Sequence, residues 1–142
     1  MNFKLDENHQ QLQEMYREFA ENEVKPIAKE IDETMRFPEE NIPKMAEMGL
    51  LGIPFPEEYG GAGMDTLSYV QCVEELSKCC ATTGVIVSAH TSLASHPIYA
   101  YGTEEQKQKY LKPLASGQKL GAFALTEPSA GTDASMQKTT AV

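Results

Sequence analysis

From Phe123 to Asp133 the chain reads Phe123, Ala124, Leu125, Thr126, Glu127, Pro128, Ser129, Ala130, Gly131, Thr132, Asp133. Apolar side chains give way to a run of small residues and hydroxyls. Small residues let a ligand approach the main chain closely. Successive backbone N–H groups and hydroxyls can then bind a phosphate or the edge of a heterocycle. Composition of this kind is also ordinary in surface loops, so it permits a binding role without specifying one. The other candidates for chemistry are weaker. His90 and His96 are six apart, which does not stack them on one helix face as metal ligands; a pocket-wall or surface role is expected. Cys72, Cys79 and Cys80 are odd in number and form no CxxC pair. They read as small apolar residues of a packed helix in a reducing compartment. Tyr99 and Tyr101 read as packing residues, and Glu104-Glu105 as a solvated first turn that favours the helix dipole.

The elements that must position the loop are helical. Leu12, Met15, Phe19, Val24, Ile27 and Ile31 form one apolar stripe over a helix from about Asp6 to Glu33. Asp6 suits its cap, and Pro26 must kink or split it. Pro38 suits the first turn of a short helix ending near Met48, with Gly49 as the stop. Leu50 to Gly63, rich in Gly and Pro, is an irregular apolar connection. Asp65 caps a helix expected to turn Leu67, Val70, Val73 and Leu76 inward. Gly84 to Val87, within the segment 82–95, is ambiguous between buried strand and buried helix. Thr103 to Gln106 is a capping box opening a helix that closes at Gly117. Lys119 to Leu125 alternates like a strand, and a second strand is expected toward Val142. A pair of strands alone is marginal in water, so these residues are expected to be poorly ordered or paired with another chain. The expected fold class is mainly α: a bundle of five or six helices over residues 1–118, then the start of an incomplete β domain over 119–142.

Charge and composition narrow the partners. The 142 residues carry 12 basic against 21 acidic side chains, a net charge of −9, which repels phosphate backbones and anionic lipid surfaces. No apolar run is long enough for a membrane span. The N-terminus has neither a basic region followed by an apolar stretch nor an Arg- and Ser-rich leader, so cytoplasm is the expected compartment.

Three strings together are more specific than any one. The segment from Ala124 through Asp133 resembles the flavin-binding signature of the acyl-CoA dehydrogenase family, where Thr/Ser-Glu-Pro leads into Gly-Thr/Ser-Asp. Met136 departs from it, standing where the family usually has a small residue. Gly49 to Gly61 resembles the family's N-terminal turn region. Tyr101 to Lys107 and Tyr110 to Gly117 resemble the helix and turn before its flavin strand. Order and spacing agree over essentially the whole chain, and the likeness leans toward short-chain, butyryl-type members. The resemblance implies that 82–95 is a helix at the wall of the acyl pocket. It implies FAD as cofactor, with Phe123, Leu125 and Thr126 against the isoalloxazine and Gly131 and Thr132 near the pyrophosphate. Leu93 and Thr132 would face the acyl-CoA substrate. The implied reaction is α,β-dehydrogenation of an acyl-CoA thioester, with electrons passed to an electron-transferring flavoprotein in a homo-oligomeric, tetrameric parent. The family's carboxylate base lies downstream in a C-terminal helical domain. No position here corresponds to it, and Glu127 belongs to the binding loop. A non-catalytic helical interaction module and part of an acyl-CoA oxidase remain as alternatives.

Overall fold

The computed structural model describes residues 4–140. Five helical rods lie between residues 7 and 115. Helix α1 joins an α-helix at Glu7–Phe19, a π turn at Ala20–Val24 and an α-helix at Lys25–Thr34. Helix α2 is Asn41–Glu47 and helix α3 is Thr66–Cys79. Helix α4 joins Ala81–Ser88, a π turn at Ala89–Ser95 and His96–Tyr101. Helix α5 joins Glu104–Gln106, a π turn at Lys107–Leu111 and Lys112–Ala115. The ambiguous apolar run at 84–87 is therefore helix.

The three π turns share one cause. Pro26, Pro97 and Pro113 are each the second residue of the α-segment that follows a π turn. A proline ring crowds the carbonyl four residues upstream and supplies no donor to it. Those carbonyls belong to Asn22, Leu93 and Lys109, all inside the π turns. Widening the turn by one residue moves each carbonyl aside, so each helix continues past its proline.

The core forms where α1, α3 and the start of α4 meet. Tyr16, Phe19, Ala20 and Val24 of α1 pack with Cys72 and Leu76 of α3, Val87 of α4, Met45 of α2 and Leu50, Leu51 and Ile53 of the connection. Each fully buried leucine contributes about 1.5–3 kcal/mol relative to an exposed one. A second cluster sets Phe55 and Tyr59 against Leu111 and Ala115 of α5, with Tyr99 of α4 edge-on to both rings. Tyr99 thus packs as expected, whereas Tyr101 is 87% exposed and packs nothing away from solvent. Cys72 and Cys80 are buried, Cys79 is partly buried, and all three are free thiols.

The inner face of α3 differs from its apolar pattern. Leu67 and Val70 are exposed, while Ser68, Gln71, Cys72, Glu75 and Leu76 face inward. Polar contacts across the seam decide the rotation. Gln71 donates to the His9 carbonyl, and buried Glu75 accepts from Arg17 and Lys78. Burial alone would raise the pKa of Glu75; the two cations outweigh it and hold the carboxyl below its ordinary value.

The N-termini of α1 and α3 are capped by aspartate. Asp6 accepts from the His9 N–H at 2.9 Å, and Asp65 accepts from the Ser68 N–H at 2.8 Å. The His9 ring then spans the two caps, with Nδ1 2.7 Å from Asp6 and Nε2 3.0 Å from Asp65. Hydrogen bonds to Asp6 and then to Asp65 raise the His9 pKa above its ordinary 6.5. Asp6 and Asp65 lie below their ordinary 3.8, chiefly through the backbone N–H groups they cap. A raised histidine pKa stabilises fully below the unfolded value and loses that contribution as pH rises through the folded value. The destabilisation by His9→Gln is therefore expected to be larger at pH 6 than at pH 9, because the charged ring's contribution falls away as pH rises. Urea denaturation of both proteins across that range checks it. A pH-independent difference would show that the ring acts without its charge.

The other capped start behaves as its sequence indicates: Thr103 and Gln106 form a reciprocal capping box. Helix α2 begins at Asn41 rather than at Pro38, because 38–40 form a turn before it. Gly49 and Gly117, with φ of 71° and 73°, end α2 and α5 in the left-handed conformation that glycine adopts without cost. Past Gly117 the expected strands are not formed among the described residues. Residues 120–126 carry no ladder, and pairing is limited to a single bridge between Glu127 and Ala130. A strand needs a neighbour to satisfy its N–H and C=O groups, and no other part of 4–140 offers an edge. Val142 lies outside the described residues. No described helix is long and apolar enough to cross a membrane.

Candidate functional site

The loop singled out by its residue types begins at the helical wall. Gly121 lies against α4 and α5: a Cβ added there would meet Ala94 Cβ at 2.7 Å and Leu114 Cδ2 at 3.4 Å. Its N–H donates to His90 Nδ1 at 2.9 Å. From that point residues 122–126 run outward and are exposed. Phe123 is 48% and Leu125 41% exposed, which is unusual for two large apolar side chains two positions apart. Leu93 on the π turn of α4, next to Ala94, is also exposed.

The loop then folds on itself. Glu127 and Ala130 exchange backbone hydrogen bonds of 3.0 and 3.1 Å. The Glu127 carboxylate accepts from the Lys138 N–H at 2.8 Å and the Thr139 N–H at 3.1 Å. The Lys138 amide is the main reason its pKa is lowered. A carboxylate held ionised by two amides is a brace, consistent with its exclusion as a base. Gln137 Nε2 donates to the Leu125 carbonyl at 2.5 Å, and Asp133 caps the short turn Ala134–Met136. Met136 is 55% exposed. Among the described residues, the hydroxyls of Thr126 and Thr132 and the backbone donors of Gly131 and Thr132 have no partner. A Cβ at Gly131 would meet nothing within 4 Å.

This arrangement suits a flat aromatic cofactor with a phosphate tail. It offers apolar side chains for a ring face, a hydroxyl for the ring edge, and spare donors beside an unobstructed glycine for an anion. Phe123, Leu125, Thr126, Gly131 and Thr132 share one exposed strip, with Leu93 on the adjoining wall. The donor set therefore fits FAD, although the strip covers one side of it. Sequence reasoning missed His90. It reads as a pocket-wall or surface histidine, yet it is fully buried and its side chain is bonded to the base of the strip. No local pattern could have paired residues 31 apart. His96 is exposed and lines a groove of about 370 Å³ with Pro54, Phe55, Thr66, Tyr69, Thr91, Ser92 and Tyr99. None of the loop residues lines that groove. Among the described residues no cluster of His, Cys, Asp or Glu could hold a metal ion.

Residues 6–118 match the family description "Acyl-CoA dehydrogenase, N-terminal domain". Over all 142 residues the chain is 64% identical to the short-chain specific acyl-CoA dehydrogenase of Clostridium acetobutylicum, covering 38% of that protein. It is similar to a chain solved in work on the electron-transferring flavoprotein of Acidaminococcus fermentans, with a TM-score of 0.94 and 55% identity over 99% of this chain and 37% of that one. It is also similar to butyryl-CoA dehydrogenase from Megasphaera elsdenii, with a TM-score of 0.91 and 44% identity over 98% of this chain and 37% of that one. The chain thus spans little more than a third of the length of these relatives.

Proposed function

The chain belongs to the acyl-CoA dehydrogenase family through its N-terminal domain, and from that premise we propose that it supplies the helical wall and the first flavin contacts of an FAD-dependent short-chain acyl-CoA dehydrogenase. The observation that carries the proposal is the exposed strip from Phe123 to Thr132, rooted on α4 and presenting apolar side chains, hydroxyls and unpaired donors together. The chemistry that bound FAD would supply is an acceptor for the β hydride of the acyl-CoA. In this reading Phe123 and Leu125 cover the ring and keep water from it, and the Thr126 hydroxyl fixes its edge. Gly131 and Thr132 hold the pyrophosphate, while Leu93 and Thr132 face the acyl-CoA. The helical domain is proposed to end near residue 118 and the next domain to begin at 119. The relatives' names support a short acyl chain, and the Acidaminococcus structure supports an electron-transferring flavoprotein as electron acceptor. The working enzyme is proposed to be a cytoplasmic homo-oligomer.

The test is a chimera in which residues 1–142 replace the matching part of the Clostridium acetobutylicum enzyme. It is expected to purify with bound FAD and to lose its flavin absorbance when butyryl-CoA is added. A folded but colourless chimera would refute the reading. Retained flavin that butyryl-CoA leaves unbleached would refute the substrate assignment alone.

A further inference from the structure

His90 is 0% exposed and lies in the π turn of α4. A buried imidazole needs both its nitrogens accounted for. Nδ1 accepts the Gly121 N–H at 2.9 Å, so its lone pair is occupied and the proton of the neutral ring must sit on Nε2. Nε2 has no partner of good hydrogen-bond geometry, although the carbonyls of Leu51 and Leu114 are near enough to favour a proton on the ring. Burial outweighs them and holds the His90 pKa below the ordinary value, so the ring stays neutral and able to accept.

Gly121 is the matching half. The added-Cβ distance of 2.7 Å to Ala94 shows that only glycine brings the main chain this close to α4. Among the described residues, the next hydrogen bond along the chain is at the Leu125 carbonyl, from Gln137. Between these two points the strip has no other hydrogen bond among the described residues, and Phe123 lies two residues beyond Gly121.

We infer that His90 is a positioning residue: its Nδ1 fixes where the main chain leaves the helical wall at Gly121, and so sets the placement of Phe123, Leu125 and Thr126. The inference deepens the flavin reading above and depends on it only for what the strip is for. The anchor itself is a property of the flavin-free chain and is tested there.

The experiment follows the Gly121 amide by hydrogen exchange in the 142-residue chain and the His90 ring by nitrogen NMR. In the wild type, Gly121 is expected to exchange at least ~10-fold more slowly than the untied Phe123 and Ala124 amides. The ring is expected as the Nε2–H tautomer with Nδ1 accepting. His90→Leu, which keeps bulk and removes the acceptor, is expected to bring Gly121 to within about twofold of its neighbours while α1 and α3 stay protected. His90→Asn, whose Oδ1 can stand where Nδ1 stood, is expected to restore the protection; a purely space-filling role would rank the two variants the other way. An Nδ1–H tautomer in the wild type, or Gly121 exchange as fast as that of Phe123, overturns the inference. So does protection that survives in His90→Leu. Should His90→Leu fail to fold, the wild-type tautomer and exchange rates decide by themselves. Failure of FAD to bind the chimera would remove the flavin reading and leave these results untouched.

Discussion

Added to the purified 142-residue chain, FAD is expected to remain free, and butyryl-CoA is expected to bleach nothing. The strip offers one side of a cofactor. Its two large apolar side chains are about half exposed, and its donors come from a single loop. Binding sites usually bury 70–90% or more of a ligand of this size, which one exposed strip cannot do. The relatives are more than twice as long, so in the proposed enzyme most of the enclosing surface comes from outside this chain. If those missing groups contribute only ~4 kcal/mol, their loss weakens binding about a thousandfold, since each 1.4 kcal/mol is a factor of ten. Catalysis loses more than affinity. The proposed α-proton removal needs a carboxylate free to accept, and the two in the loop are occupied, Glu127 by the Lys138 and Thr139 amides and Asp133 by Ser135. Equilibrium dialysis of chain and chimera side by side, followed by a dye-reduction assay, checks both parts. Stoichiometric flavin on the chain alone would mean that the strip closes around the cofactor without help. Bleaching would mean that a base is present that the described residues do not show.

Much of the helical scaffold is legible in the sequence because its signals are local. Asp6, Asp65 and Thr103 stand at the starts that they cap, and the α1 stripe from Leu12 to Ile31 packs on the core. The elements that sequence misreads depend on partners far away. Pro26 reads as a kink or a split, and the string does not show which; π geometry relieves its clash and α1 continues. Leu67 and Val70 read as inward, but the rotation of α3 is set by Arg17 and His9 on α1, which no period within α3 can express. Lys119 to Leu125 alternates like a strand and has no edge to pair with among the described residues. The candidate site divides in the same way. Its residue types, from Phe123 to Thr132, are plain in the string, whereas the histidine that roots it is visible only when α4 and Gly121 meet in space.

Gly61→Ala is expected to destabilise the chain by at least ~3 kcal/mol, near the upper end of single substitutions. Gly61 sits in the apolar connection, where the main chain doubles back on itself. Ala62 donates to Gly52 at 3.0 Å, Gly63 to Phe55 at 2.8 Å and Met64 to Ile53 at 2.9 Å. A Cβ on Gly61 would stand 2.1 Å from the Phe55 carbonyl oxygen, 2.6 Å from its carbon and 2.7 Å from the Gly52 oxygen. All three are backbone atoms, so no rotamer relieves the overlap and the doubled segments must separate. Separation would loosen Ile53 and Phe55, which are buried in the two hydrophobic clusters. The cost therefore adds lost burial to steric strain. A change of this size lowers the melting temperature by about 10 °C in a chain of this length. Gly131→Ala is the control, because a Cβ there meets nothing within 4 Å; its stability is expected within ~0.5 kcal/mol of wild type. In the chimera the ranking is expected to change with the readout. Gly131→Ala places a methyl group where the proposed pyrophosphate approaches the main chain, so FAD affinity should fall about tenfold or more while the melting temperature of the flavin-free protein does not move. Thermal denaturation of both variants and flavin titration of the Gly131→Ala chimera give the comparison. A Gly61→Ala chain that melts with the wild type would mean that the doubled connection yields at little cost. An unchanged flavin affinity in Gly131→Ala would remove Gly131 from the proposed cofactor contacts.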